Sequence, residues 1–106
     1  MANIRKISYL SSVKSGEDLG KQLVIVTDEG VFFQSYNTII AKVWSDNHRT
    51  WNAKVTKDWA YSKTTKTYTA KFLERYGFGI HCANDVELAL KNGSIELIEG
   101  IMTFED

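Results

Sequence analysis

The spacing of apolar and polar positions changes several times along the chain, and each change predicts an element. From Ile4 onward, Ile7, Tyr9 and Val13 fall on one side of an extended run with Leu10 opposite, which predicts a first strand. The polar stretch KSGEDLG, Lys14 to Gly20, follows as a loop. QLVIVT (22–27) and VFFQSY (31–36) are short β-branched and aromatic runs separated by Asp28, Glu29 and Gly30. Three loop residues ending in glycine predict a hairpin with Gly30 in the left-handed conformation. The nearly continuous apolar character of Leu23 to Val26 predicts a central strand covered on both faces.

A second hairpin is predicted from TIIAKVW (38–44) and WNAKV (51–55) around SDNHRT. A turn centred on Asn47 and His48 sets Trp44 directly opposite Trp51 and Ile40 opposite Val55, with Lys42 against Ala53. Such a face reads as a partly exposed aromatic surface. In WAYSKTTKTYTAKFL (59–73), Ser62, Thr64 and Thr65 are able to cap a helix start, and Tyr68, Phe72, Leu73 and Tyr76 recur at helical spacing. The expectation is a helix over about 64–75, stopped by Gly77, with packing rather than propensity sustaining Thr67 and Thr69. A second helix, DVELALK, is expected to be capped by Asn84 and to end at Asn92 and Gly93, before a last strand at Ser94 to Glu99. Together these elements predict an α+β fold: an antiparallel sheet of about five or six strands built from hairpins, with one or two short helices packed on one face.

Nothing divides the chain. It has 106 residues, no proline and no repeat, which suits a single domain over 1–106. The 13 basic and 13 acidic residues cancel, yet they are unevenly placed. Residues 1–41 hold four of each sign, residues 42–75 hold eight basic and three acidic, and residues 76–106 hold one basic and six acidic. A basic middle and an acidic last third either attract each other within the fold or present separate binding faces. Cys82 is the one cysteine, so no intrachain disulfide forms and a reducing, cytoplasmic setting is expected. No apolar run of signal-peptide or membrane-spanning length follows Arg5 and Lys6.

Candidate chemistry is sparse. His81, Cys82 and Asp85 cluster in sequence, but adjacent residues of an extended segment point to opposite faces, so convergence on one metal ion is not expected and Cys82 reads as a buried, inert thiol. Asp58 reads as a local charge partner in a basic neighbourhood. No phosphate-binding glycine loop, nucleophile elbow or paired-histidine zinc motif occurs, so neither an enzyme nor a bound cofactor is expected. Lys54, Lys57, Lys63, Lys66, Lys71 and Arg75 interleave with Trp44, Trp51, Trp59 and Tyr61, which keeps single-stranded nucleic-acid binding as an alternative. The leading expectation is docking to a protein partner through Trp44, Arg49, Trp51, Trp59, Tyr61, Lys63 and Lys66, because tryptophan, tyrosine and arginine anchor interfaces. The chain is expected to act as a monomer or a homodimer.

The segments carrying Phe33, Ser35, Tyr36, Asn37, Ile40, Ala41 and Lys42, then Trp59, Tyr61, Ser62, Thr64, Thr65, Phe72 and Leu73, resemble a family of small, uncharacterised proteins encoded by phages and prophages of low-GC Gram-positive bacteria. Ala60 stands where that family has an aspartate between the tryptophan and the tyrosine. The resemblance implies a phage setting and a non-enzymatic binding role, with an anti-defence, anti-CRISPR-like inhibitor as one form of it.

Overall fold

The β-branched and aromatic runs form one six-stranded sheet: β1 (Ile4–Tyr9), β2 (Gln22–Thr27), β3 (Gly30–Ser35), β4 (Thr38–Ser45), β5 (Trp51–Thr56) and β6 (Glu96–Ile98). In this computed structural model the described residues are 3–10, 22–46 and 50–106. The predicted continuation of the first strand to Val13, the loop at 14–20 and Arg49 at the hairpin tip lie outside them. Strands are ordered β1-β2-β3-β4-β5-β6. All neighbours are antiparallel except β5 and β6, which are parallel. Parallel pairing needs a long crossover, and here a 3-10 turn (Lys57–Ala60), α1 (Lys63–Arg75) and α2 (Ala83–Lys91) supply it. The fold is α+β.

Side chains alternate across the sheet and fill two cores. On the helix side, Val24, Phe33, Val43 and Val55 pack with Tyr68, Phe72, Leu73 and Val86, and the Phe33 and Phe72 rings stack at 5.6 Å. On the other side Ile25 and Phe32 are covered by Met102 and Phe104 of the C-terminal segment, with Phe104 edge-on to Phe32 at 5.1 Å. Lys42 and Lys54 anchor this segment by donating to the main-chain oxygen of Asp106 at 3.0 and 2.8 Å.

Three local expectations are corrected. The β2–β3 loop has two residues, with Thr27 paired to Gly30. A Cβ at Gly30 would lie 2.8 Å from both Lys42 Cε and Val43 O, so glycine is there for close approach. In the second hairpin the register is one residue away from that expected: Trp44 pairs with Asn52, Lys42 with Lys54 and Ala41 with Val55. Trp44 and Trp51 therefore lie on opposite faces. Asn84 falls inside α2, whose N-cap position is Cys82 without a side-chain bond; Asp85 instead accepts from the His81 N–H at 2.8 Å. The first helix matches expectation, with Ser62 as its cap and Gly77 in the left-handed region at φ 79. Thr67 and Thr69 donate back to the carbonyls of Lys63 and Thr65 at 2.9 and 2.7 Å, which satisfies their hydroxyls within the helix.

Phe104→Ala should destabilise the fold by about 2 kcal/mol, roughly half the cost of emptying a fully buried phenylalanine site, as read by urea unfolding. The Asp106 carboxyl is held below its ordinary 3.8, chiefly because the Thr103 N–H donates to it; burial opposes this, and the Thr103 hydroxyl, Lys54 and Lys42 assist. A depressed folded pKa gives stability that is complete above the unfolded value and is lost as pH falls through the folded one. Asp106→Asn should therefore lower the melting temperature at neutral pH, and the difference should vanish only as pH falls below 3.8.

Candidate functional site

Two segments separated by most of β4 and all of β5 meet at one end of the sheet. The first is the β3–β4 turn. Ser35 pairs with Thr38, leaving Tyr36 and Asn37 as a two-residue loop. Tyr36 has φ 56 and is the one non-glycine residue with positive φ among the described residues. Hairpin loops of this length normally place glycine or asparagine at such a position, and a bulky residue there costs about 1–3 kcal/mol. The Gln34 side-chain amide braces the turn by donating to the Tyr36 carbonyl at 2.9 Å.

The second segment follows β5. The Asp58 N–H donates to Thr56 Oγ1 at 3.3 Å, and the Tyr61 N–H donates to the Asp58 carbonyl at 3.0 Å. This turn drops Trp59 into the core at 5% exposure and leaves Tyr61 at 85%. Ser62 then starts α1 by accepting the Thr65 N–H at 3.1 Å, with its hydroxyl also 3.1 Å from Thr65 Oγ1.

Between the segments lies an open cleft of about 780 Å³. Ser35, Tyr36, Asn37 and Thr38 form one wall, Asp58, Tyr61, Ser62 and Thr64 the other, with Ile40 and Thr65 also lining it. A second hollow of about 360 Å³ adjoins it, sharing Asn37, Thr38 and Asp58 and reaching Ile101 and Met102. Among the described residues, Asp58 is the sole ionised side chain lining the larger cleft. It is half-buried, and among the described residues its carboxylate has neither an ion-pair partner nor a hydrogen bond. Ser35 is 3% exposed and its hydroxyl has no partner. Gln22, the cross-strand neighbour of Ser35, has its whole side-chain amide buried and unpartnered. Buried polar groups are nearly always satisfied, so this concentration calls for a reason.

The structure does not gather the sequence-predicted residues onto one face. Trp44 lies on the face away from the helices, with Lys42 and Lys54 Nζ each 5.5 Å from its ring. Trp51 lies on the helix side, 5.0 Å from the Tyr76 ring. Trp59 is core, Lys63 is exposed and Lys66 half-buried on α1, and Arg49 is outside the described residues. Of the six that are described, Tyr61 alone lines the cleft. Ser35, Asn37, Thr38, Asp58 and Thr64 are not singled out by the sequence as site residues, although all but Asp58 lie in the two segments that carry the family resemblance.

Cys82 is exposed, against expectation, because the extended 81–82 stretch runs along the rim at the start of α2. His81 Nδ1 lies 3.0 Å from Glu74 Oε2, and no group of three metal-ligating side chains converges among the described residues. The Asp85 carboxyl sits below its ordinary value chiefly because it accepts the His81 N–H.

Tyr36→Gly should raise the stability by about 1 kcal/mol, the relieved strain exceeding the added chain entropy, whereas Ser62→Ala should lower it by about 1 kcal/mol through loss of the cap. Thermal unfolding of both variants measures the opposite signs.

No curated protein and no solved structure matches the chain. A family of unknown function, DUF8033, matches residues 5–87, from β1 through α2, a span that contains every residue lining the larger cleft. The chain belongs to the DUF8033 family, whose function is unknown.

Proposed function

We propose that this is a non-enzymatic binding protein that acts on a protein partner, and that the cleft between the β3–β4 turn and the start of α1 is its docking site. The observation that carries the reading is the convergence of a strained Tyr36, an exposed Tyr61 and unpartnered polar groups on one cleft. Backbone strain and unsatisfied polar atoms are tolerated where a partner makes use of them, and tyrosine is among the residues that dominate binding energy. The cleft volume suits several residues of an extended segment rather than an ion. The resemblance to phage-encoded proteins favours a host protein as the partner, and an anti-defence inhibitor is the form this reading then takes.

The nucleic-acid alternative draws less support. Lys42 and Lys54 are engaged with Asp106 on the far face, and among the described residues a carboxylate rather than a cation lines the cleft.

Tyr61→Arg and Thr64→Arg alter the cleft wall without touching the core. Each should weaken the partner complex about 30-fold or more, while Trp51→Ala should leave it within about threefold. Binding is measured by calorimetry with the partner identified by photocrosslinking from position 61. Unchanged affinity in both arginine variants would remove the cleft from consideration.

A further inference from the structure

Resting on that docking reading, we infer that the segment seated in the cleft presents a basic side chain, arginine or lysine, to Asp58. A half-buried carboxylate without a counter-charge is unfavourable, and it gains from any cation that reaches it. Among the described residues Asp58 has none of its own, although Lys57 adjoins it in sequence and Lys63 follows in α1, and the one ion pair is His81 with Glu74. The rest of the lining is neutral among the described residues. Its hydroxyls at Ser35, Ser62 and Thr64 can accept N–H donors, and a guanidinium brings five of these in one plane. Tyr36 and Tyr61 add aromatic rings on the two walls, surfaces that attract cations. Ile40 gives the methylene stem of such a side chain an apolar contact.

An anionic occupant fits less well. The N-terminus of α1 carries about half a positive charge, and its Thr65 N–H is already taken by Ser62. The full negative charge of Asp58 outweighs that, and among the described residues no lysine or arginine lines the cleft to assist an anion. The buried Ser35 hydroxyl, unpartnered and in the cleft lining, is the independent sign that the site awaits hydrogen-bonding groups.

The test is an NMR titration of the ¹⁵N-labelled full chain with capped single residues: N-acetyl-arginine methylamide, N-acetyl-lysine methylamide and the neutral N-acetyl-glutamine methylamide. The cationic probes should shift the amide resonances of Asn37, Tyr61, Ser62 and Thr64 saturably and in a salt-sensitive manner, with the glutamine probe at least about tenfold weaker, as a single ion pair allows. Asp58→Asn should abolish the preference. Thr64→Lys, which supplies a fixed cation while keeping Asp58, should abolish cationic-probe binding, so the outcome does not depend on one variant folding. Equal binding of the arginine and glutamine probes at the cleft would overturn the charge reading while leaving docking intact. Absence of saturable shifts from every probe would overturn the inference, and the effects of Tyr61→Arg and Thr64→Arg on the partner complex would then decide the docking reading separately.

Discussion

Phe32 and Phe33 are neighbours in the chain, point to opposite faces of β3, and are both fully buried. That is possible only if the middle of the sheet is covered twice, and the rest of the architecture follows from it. The helix side is closed by α1 and α2, which are placed there by the crossover from β5 to β6. Among the described residues the other side has no helix, and it is covered by the short C-terminal segment, with Met102 and Phe104 laid over Ile25 and Phe32. A segment with so few apolar residues needs further anchors. Lys42, itself nearly buried, and Lys54 supply them by donating to Asp106. Burial and the neighbouring Lys54 charge hold the Lys42 ammonium below its ordinary pKa, a cost that its hydrogen bond and the flanking Phe32 and Trp44 rings offset.

This second cover also uses part of the uneven charge along the chain. The basic middle third contributes Lys42 and Lys54, and the acidic last third returns at Asp106 to meet them. The two regions thus meet through the sheet, in keeping with attraction inside one fold. Apolar covering ends before β1, where Ile4, Ile7 and Tyr9 remain exposed on an edge strand. Arg5 and Lys6 in the same strand are the kind of charged residues that discourage edge-to-edge pairing.

Strand positions, both helices and the α+β class were legible because each rests on a local pattern: β-branched runs, a serine cap, a glycine stop. Register was not, since the loop of the second hairpin had to be guessed. Centring it on Asn47 and His48 slipped the pairing by one residue, and with a period of two that moved every side chain to the wrong neighbour. The apolar pairs Ala41–Val43 and Ala53–Val55 held the correcting signal, because they share a buried face only in the observed register. The C-terminal cover was invisible for a different reason: Ile101, Met102 and Phe104 follow neither a strand nor a helix period. The candidate site was half legible. Its two segments stood out as sequence patterns, but nothing local says that Ser35 and Thr64 meet across β4 and β5, or that Tyr36 adopts a positive φ.

Among the described residues, three of the four buried polar atoms without a partner, the two of Gln22 and the hydroxyl of Ser35, lie together at the end of the sheet beside the cleft; the fourth, in Ser45, is at the opposite end of β4. Each unpaired group costs roughly 1–3 kcal/mol, comparable to the strain at Tyr36. Against the 5–15 kcal/mol by which domains of this kind are stable, that is a large local cost. Replacing Gln22 and Ser35 by apolar residues and Tyr36 by glycine would remove it without disturbing the two cores. A fold that needed only to be stable would gain from those changes. That the costs coincide with an open cleft and a bare carboxylate is the physical argument behind the binding role proposed for this end of the sheet.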